Sequence, residues 1–425
     1  MRPLPEQSYL PMRLRTLLLY LIGNRQAILD VAANPHAIWI GLLFVLSAGF
    51  AREYDQEDLL HEPWHLFVPL GASLLASFVL FLLLFALAKR RGARGLFLSS
   101  YRSFLGVFWM TAPLAWLYAI PFERFMTPLG ATQANLLILG LVAVWRLVLM
   151  IRVVSVLTDS PMVEAIPLVL LFADGAVLAA MYALPFPIIE FMGGIQRPDH
   201  ERLVRSVTLL VGFGAALLAP VLLLILAMLL PVPTGTVWKL PRLTCSPGTR
   251  VHWGAPLLAT TSLLVWALVL PLTQSEQQLK YKVTRALRAG HISEGLAEMS
   301  AHRANDFPPL WDPPPAYDEK WSPPPLLEVL ENIADDPPAD WVQEIYLRKF
   351  AAFLEWQGLW QWRLTDQEFV RVVALLRRLP GGRVFAHEHR QVLDGLFNQR
   401  LGKDAEADKF IGQLRNSNGW SDQDR

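Results

Sequence analysis

A single cysteine, Cys245, in 425 residues excludes an intrachain disulfide and any cysteine-based metal cluster. Charge is scarce too. Asp, Glu, Lys and Arg make up 18% of the chain and sum to a net +1. The basic residues lie in short loops and tail helices rather than in a stripe interleaved with aromatics, so no nucleic-acid partner is expected. There is no phosphate-cradling glycine loop, no dinucleotide fingerprint after a strand and no Gly-x-Ser-x-Gly elbow. Ser300, His302 and Asp306 in "SAHRAND" are neighbours in sequence, which is not triad geometry. The sequence asks for no cofactor. The opening "MRPLPEQSYLPMRLRTLLLYLIGNRQ" lacks an apolar core followed by a small-residue cleavage site, and no internal repeat of fixed period is found.

What the chain does have is apolar length. Hydrophobic residues form 53% of it, concentrated in runs too long for a soluble core. Crossing about 30 Å of hydrocarbon takes roughly 20 mostly apolar residues, and Ser206 to Leu230 meets that length without one charged side chain. Seven spans are expected: Ala37 to Phe50, Leu66 to Ala88, Phe104 to Pro121, Asn135 to Leu157, Glu164 to Leu184, Ser206 to Leu230, and Trp253 to Leu272. Met12 to Ala33 alternates arginine with leucine at helical spacing and reads as one amphipathic helix on the membrane surface. The fold class is therefore all-α, a polytopic transmembrane bundle in contact with the lipid bilayer, with an N-terminal surface helix and a C-terminal soluble helical domain.

Basic flanks orient the bundle. Arg13, Arg15 and Arg25 precede the first span, and Lys89, Arg90, Arg91, Arg94 and Arg102 follow the second. The loop between these spans holds Arg52 against Asp55, Glu57, Asp58 and Glu62. The N-terminus is accordingly expected in the cytoplasm, and the compact loops fit a prokaryotic inner membrane. Seven spans then place the tail outside the cytoplasm, whereas Lys280, Lys282, Arg285 and Arg288 argue the reverse.

Composition divides the chain into an amphipathic segment (1–36), the bundle (37–272), a helical hairpin linker (273–306), a proline-rich spacer (307–325) and a soluble helical domain (326–425). The linker breaks at Gly290, with Ser293 as a cap. The spacer "DFPPLWDPPPAYDEKWSPPP" excludes helix and sheet interior, and its Trp311, Tyr317 and Trp321 are expected to pack on the tail. "PPAY", Pro314 to Tyr317, also has the form of a short WW-domain ligand. In the tail, Thr365 with Glu368 forms a capping box, Gly381 and Gly382 end that helix, and further helices follow from Val384 to Arg400 and Asp408 to Leu414.

Three sets of residues could carry chemistry. "HEPWH" places His61, Glu62 and His65 at the spacing with which zinc proteases position two imidazoles and a carboxylate. Together with Asp174 and Gly175 in "LLFADGAV", these fragments resemble site-2 intramembrane proteases, and the resemblance implies a zinc site built from them. The Asn and Pro that precede the family's Asp-Gly are absent. Pro63 favours a helix start after His61, so the two imidazoles need not share a face. His65 also lies at an interface while Asp174 lies roughly 15 Å deeper. The second set is Arg146 and Asp174, each 14 residues from Ser160 in the turn between the fourth and fifth spans. Equal depth and the cost of burying charge in lipid predict an intramembrane ion pair, with Arg152 and Glu164 as a second pair nearer the turn. His387 and His389 form the third set; two apart on a helix they diverge by about 200° and are surface residues. Three functions are compatible with this reading: a non-catalytic membrane scaffold that recruits a protein partner through its helical tail, a secondary carrier using Arg146 and Asp174, and a zinc protease using His61, His65 and Glu62.

Overall fold

The computed structural model describes residues 12–54, 57–90, 93, 95–183, 199–229, 253–315, 324–360, 365–398 and 412. It is 83% helical, with no strand among the described residues. Six helical segments are long and apolar enough to cross a membrane: Pro63–Arg90, Phe97–Arg124, Pro128–Thr158, Met162–Ala183, Asp199–Met228 and Gly254–Arg288. A seventh candidate is the pair Arg25–Ala33 and Ala37–Glu53, bent by 104° at its break. These are the features of a multi-pass membrane protein. The chain forms two compact units, Met1–Pro185 with Arg202–Ser275, and Phe186–Glu201 with Glu276–Arg425.

In the first unit the N-terminal segment is two helices, α1 (Leu14–Leu21) and α2 (Arg25–Ala33), rather than the single helix expected. Gly23 ends α1 with a φ of +79°, a conformation glycine adopts without steric cost. Asn24 then caps α2, its Oδ1 accepting from the amides of Gln26 at 3.0 Å and Ala27 at 3.2 Å. Arg13, Arg15, Leu14, Leu18 and Ile22 face outward, while Leu17, Tyr20, Ile28 and Val31 join the core. Tyr20 donates its hydroxyl to the Val107 carbonyl at 2.6 Å.

The rest of the bundle comprises α3 (Ala37–Glu53), α4 (Phe67–Arg90), α5 (Phe97–Trp109), α6 (Pro128–Thr158), α7 (Met162–Ala183), α8 (Asp199–Leu229) and α9 (Gly254–Arg288). The third expected span is a compound element. Its α-helix stops at Trp109 and continues as a 3₁₀ segment, Ala112–Ala119, because Pro113 has no N–H and its ring crowds the carbonyl four residues back. Helix α6 opens on Thr127, whose hydroxyl accepts from Gly130 N, followed by Pro128, and closes on Asp159 with a φ of +52°.

Glycine lets α3 and α5 touch. A Cβ on Gly41 would lie 2.7 Å from the Trp109 Cβ, and one on Gly106 would lie 3.1 Å from the Ala37 Cβ. Farther along α3, the fully buried Ser47 Oγ accepts from two indoles, Trp116 Nε1 and Trp266 Nε1, each at 3.1 Å. One hydroxyl therefore joins α3, the 3₁₀ segment and α9.

Side-chain bonds define two ends of this unit. At one, Arg25 pairs with Asp159 at 2.8 Å, Trp145 Nε1 donates to the Leu21 carbonyl at 2.9 Å, and Leu14 lies against Gly254. At the other, the Tyr54 hydroxyl donates to the Ala119 carbonyl at 3.0 Å, Thr273 Oγ1 to the Tyr54 carbonyl at 2.9 Å, and Gln274 Nε2 to the Tyr54 and Glu57 carbonyls at 3.2 Å. By helix direction the first end carries Arg13, Arg15, Arg25, Lys89, Arg90 and Arg152 with Asp159 and Glu164, and the second carries Glu53, Glu57, Asp58, Glu62 and Glu123 with Arg52 and Arg124, so basic residues are in excess at the first and acidic ones at the second. Both α3 and α9 run from the basic end to the acidic end. At about 25 Å for 17 residues, α3 covers most of a bilayer's hydrocarbon thickness.

The second unit has its own core. Helix α9 runs without a break to Arg288, past the expected boundary at residue 272. Gly290 follows with a φ of +83°, and α10 (Ile292–Ser300) begins at Ile292, one residue before the expected Ser293 cap. Then come α11 (Leu326–Asp335), α12 (Asp340–Trp360), α13 (Asp366–Arg378), α14 (Gly382–Glu388) and α15 (Arg390–Asn398). Thr365 and Glu368 form the reciprocal capping box at the start of α13. The helix expected from Val384 to Arg400 is broken at His389, and the one expected at Asp408 to Leu414 lies outside the described residues apart from residue 412. Val283, Leu287, Leu296, Leu330, Ile333, Tyr346, Phe350, Leu376 and Leu393 are among the buried residues of this core.

Candidate functional site

Arg146 and Asp174 are not brought together. Arg146 follows the buried Val142 and precedes the buried Leu149 on α6, a spacing that directs it toward α5, where its guanidinium lies 6.0 Å from the Phe108 ring centroid. Asp174 sits mid-helix on α7, and its Oδ2 is shielded from solvent with no hydrogen-bond partner. Equal distance from the Ser160 turn fixes depth but not direction around each helix axis. Arg152 likewise turns toward the α1–α2 connection, Nε donating to the Gly23 carbonyl at 3.3 Å, while Glu164 is buried in the first turn of α7. At the turn itself the pairing cation for Asp159 is Arg25, from the N-terminal segment.

The His-Glu motif is rearranged in the same way. Pro63 begins a 3₁₀ turn, Pro63–Leu66, ahead of α4, and His61 lies before it. Asp58 Oδ1 accepts from the amides of Leu60 and His61, and Asp58 Oδ2 lies 2.6 Å from His61 Nδ1. His65 Nε2 lies 3.1 Å from Glu62 Oε2. The donor set that converges is Glu57, Glu62 and His65, whose ligand atoms are all within 4.8 Å of one another. His61 is outside it. Glu57 belongs to the acidic approach already visible in the sequence, but its role depends on a loop path that spacing alone does not reveal.

Among the described residues, an elaborate polar arrangement lies in the second unit and involves a residue that sequence reading passed over. Lys349 on α12 is 2% exposed, and Nζ donates to Asp312 Oδ2 at 2.7 Å, to the Pro315 carbonyl at 2.7 Å and to the Pro313 carbonyl. One turn earlier, the buried Tyr346 donates its hydroxyl to the Pro314 carbonyl at 2.8 Å. The proline strap is thus held by side chains, because proline offers no N–H with which to hold itself. Burial pushes the Asp312 carboxyl above the usual carboxylate range, with Lys349 pulling it back down. The Tyr346 phenol is raised above its ordinary value, chiefly by burial and further by the Asp312 charge. The signal was present in sequence: Val342, Tyr346, Lys349, Phe350 and Leu354 share one helical face, so the lysine falls on an otherwise apolar stripe.

Trp311 of the strap stacks on Phe307 at 4.6 Å and packs against the second core, while Tyr317 and Trp321 lie outside the described residues. Pro314 and Pro315 of the "PPAY" stretch are buried or bonded within this strap, and its Tyr317 is not described. His387 is exposed, and His389 packs on Phe385 at 4.5 Å. Across the core, Arg371 reaches Glu331 through two bonds, at 2.6 and 2.8 Å, and that pairing raises its pKa. No family model, curated protein or solved structure matches this chain.

Proposed function

We propose that this chain is a non-catalytic multi-pass membrane protein that uses its helical tail to bind a protein partner. The observation that carries this reading is the Lys349 staple. A strap of prolines is fixed by a buried lysine and tyrosine onto the helix core of the second unit, which gives that unit an ordered platform. Such a platform commits a buried cation to holding the backbone of the strap, an arrangement that suits recognition.

The two ends of the bundle support a topology for this platform. With the basic end cytoplasmic, the N-terminus lies in the cytoplasm of a prokaryotic inner membrane, and α1 and α2 rest on the anionic leaflet through Arg13 and Arg15. Helix α3 then crosses as the first of seven spans. The chain leaves the bundle at Gln274, bonded to Tyr54 and Glu57 at the acidic end, so the tail stands outside the cytoplasm. The basic run Lys280 to Arg288 lies on the continuation of α9, beyond Gln274. Maleimide labelling of intact cells tests it, using a Cys245→Ser background with one cysteine introduced at the exposed Glu344. Labelling by an impermeant reagent supports the topology; labelling only after permeabilisation defeats it.

A carrier is the second reading, and the partnerless Oδ2 of Asp174 inside a span favours it. A proton-coupled carrier would lose flux in Asp174→Asn and in Arg146→Gln. Full flux in both variants would remove that role.

A further inference from the structure

We propose that Glu57, Glu62 and His65 form a divalent-cation site, suited to Zn²⁺, that locks the α3–α4 connection at the acidic end of the bundle. The inference stands apart from the tail's role. It starts from spacing: ligands at about 2.0–2.2 Å from a tetrahedral zinc lie roughly 3.3 Å from one another. His65 Nε2 and Glu62 Oε2 are already 3.1 Å apart, and a Glu57 oxygen lies within 4.8 Å of both.

The chemistry selects the ion. One imidazole with two carboxylates suits zinc, whereas calcium and magnesium favour oxygen-only sets. The position calls for a cation as well. Glu53, Glu57, Asp58 and Glu62 crowd one short stretch, and the nearby Arg52 is directed to Glu53 at 3.5 Å. Two carboxylates drawn this close repel, and a bound cation reverses that interaction.

A separate observation comes from α9. Gln274 is 1% exposed, and its carboxamide grips the backbone carbonyl of Glu57 at 3.2 Å, which fixes the residue from behind. The oxygen of the same carboxamide is buried without a hydrogen-bond partner. His61 is excluded because Asp58 holds it at 2.6 Å. The motif's two histidines thus part company: one braces a turn and the other binds metal.

The test uses the full chain, purified in detergent without a polyhistidine tag, stripped with chelator and titrated with Zn²⁺ alone. The expected result is one zinc per chain, with affinity at least tenfold weaker in Glu57→Gln and His65→Ala and unchanged in His61→Ala. X-ray absorption at the zinc edge of the wild-type protein is expected to give one imidazole among oxygen donors, and this readout does not depend on any variant folding. Absence of stoichiometric zinc, two imidazoles in the shell, or a loss in His61→Ala matching that in His65→Ala would each overturn the proposal. Equal binding of Ca²⁺ or Mg²⁺ titrated alone would overturn the choice of zinc.

Discussion

Replacing Lys349 with methionine keeps most of the side-chain volume and removes the ammonium group, which isolates the staple from simple packing. Three oxygens lose their donor: Asp312 Oδ2 and the carbonyls of Pro313 and Pro315. Breaking a buried ion pair from one side costs about 3–5 kcal/mol. Asp312 is 36% exposed, so water recovers much of its share, and its contribution falls toward the surface range of about 0–1 kcal/mol. The two carbonyls, at about 1–3 kcal/mol each when left without a donor, then dominate. We expect a loss of about 3 kcal/mol, which corresponds to roughly a hundredfold rise in opening of the unit. Hydrogen exchange of the intact chain in detergent, read on peptides covering Asp340 to Leu354, measures this directly. Acceleration of about a hundredfold is expected there, with peptides of α4 and α6 unchanged. Acceleration below about threefold would refute the reasoning, because the strap would then be held by something other than Lys349.

Asp312→Asn should change the pH dependence of the same unit. The Asp312 carboxyl is raised in the folded state, so its proton binds more tightly there than in the unfolded chain. Its stabilising contribution is full below the unfolded value of about 3.9 and declines as pH rises through the raised folded value. Subtracting the Asp312→Asn melting curve from the wild-type curve across acidic pH should leave that falling component; a flat or rising difference would contradict it. In the bundle, Ser47→Ala strands two indole N–H groups and should cost about 1–2 kcal/mol, read by unfolding in detergent mixtures. Gly41→Val forces α3 from Trp109 and should destabilise by about 1–3 kcal/mol in the same assay, whereas Gly71→Val, in open space on α4, should not.

Apolar length and period placed the crossing helices in sequence, because those properties decide insertion almost residue by residue. Ser206 to Leu230 is one case: its helix is observed as Asp199–Leu229. Capping chemistry was equally readable where it is local, as at Thr365 and Glu368. The break at Gly23 was missed although Gly followed by Asn is a stop and a start, since arginine–leucine periodicity masked it. The interior charges were harder to place. Counting from Ser160 equalised the depths of Arg146 and Asp174, yet the choice of neighbour depends on rotation about each axis, which the core contacts of Val142 and Leu149 determine. Pro63 begins a 3₁₀ turn after His61, and His61 lies outside the convergent set, but the approach of Glu57 to His65 depends on a loop path that no spacing encodes.

The central claim is that the stapled tail is a partner-binding platform, and cross-linking mass spectrometry on native-host membranes tests it most directly. Wild type should yield stoichiometric cross-links from helices α11 to α13 to one membrane or envelope protein, and Lys349→Met should lose them while remaining in the membrane at normal abundance. Cross-links confined to this chain itself, or an undiminished set in Lys349→Met, would contradict the account.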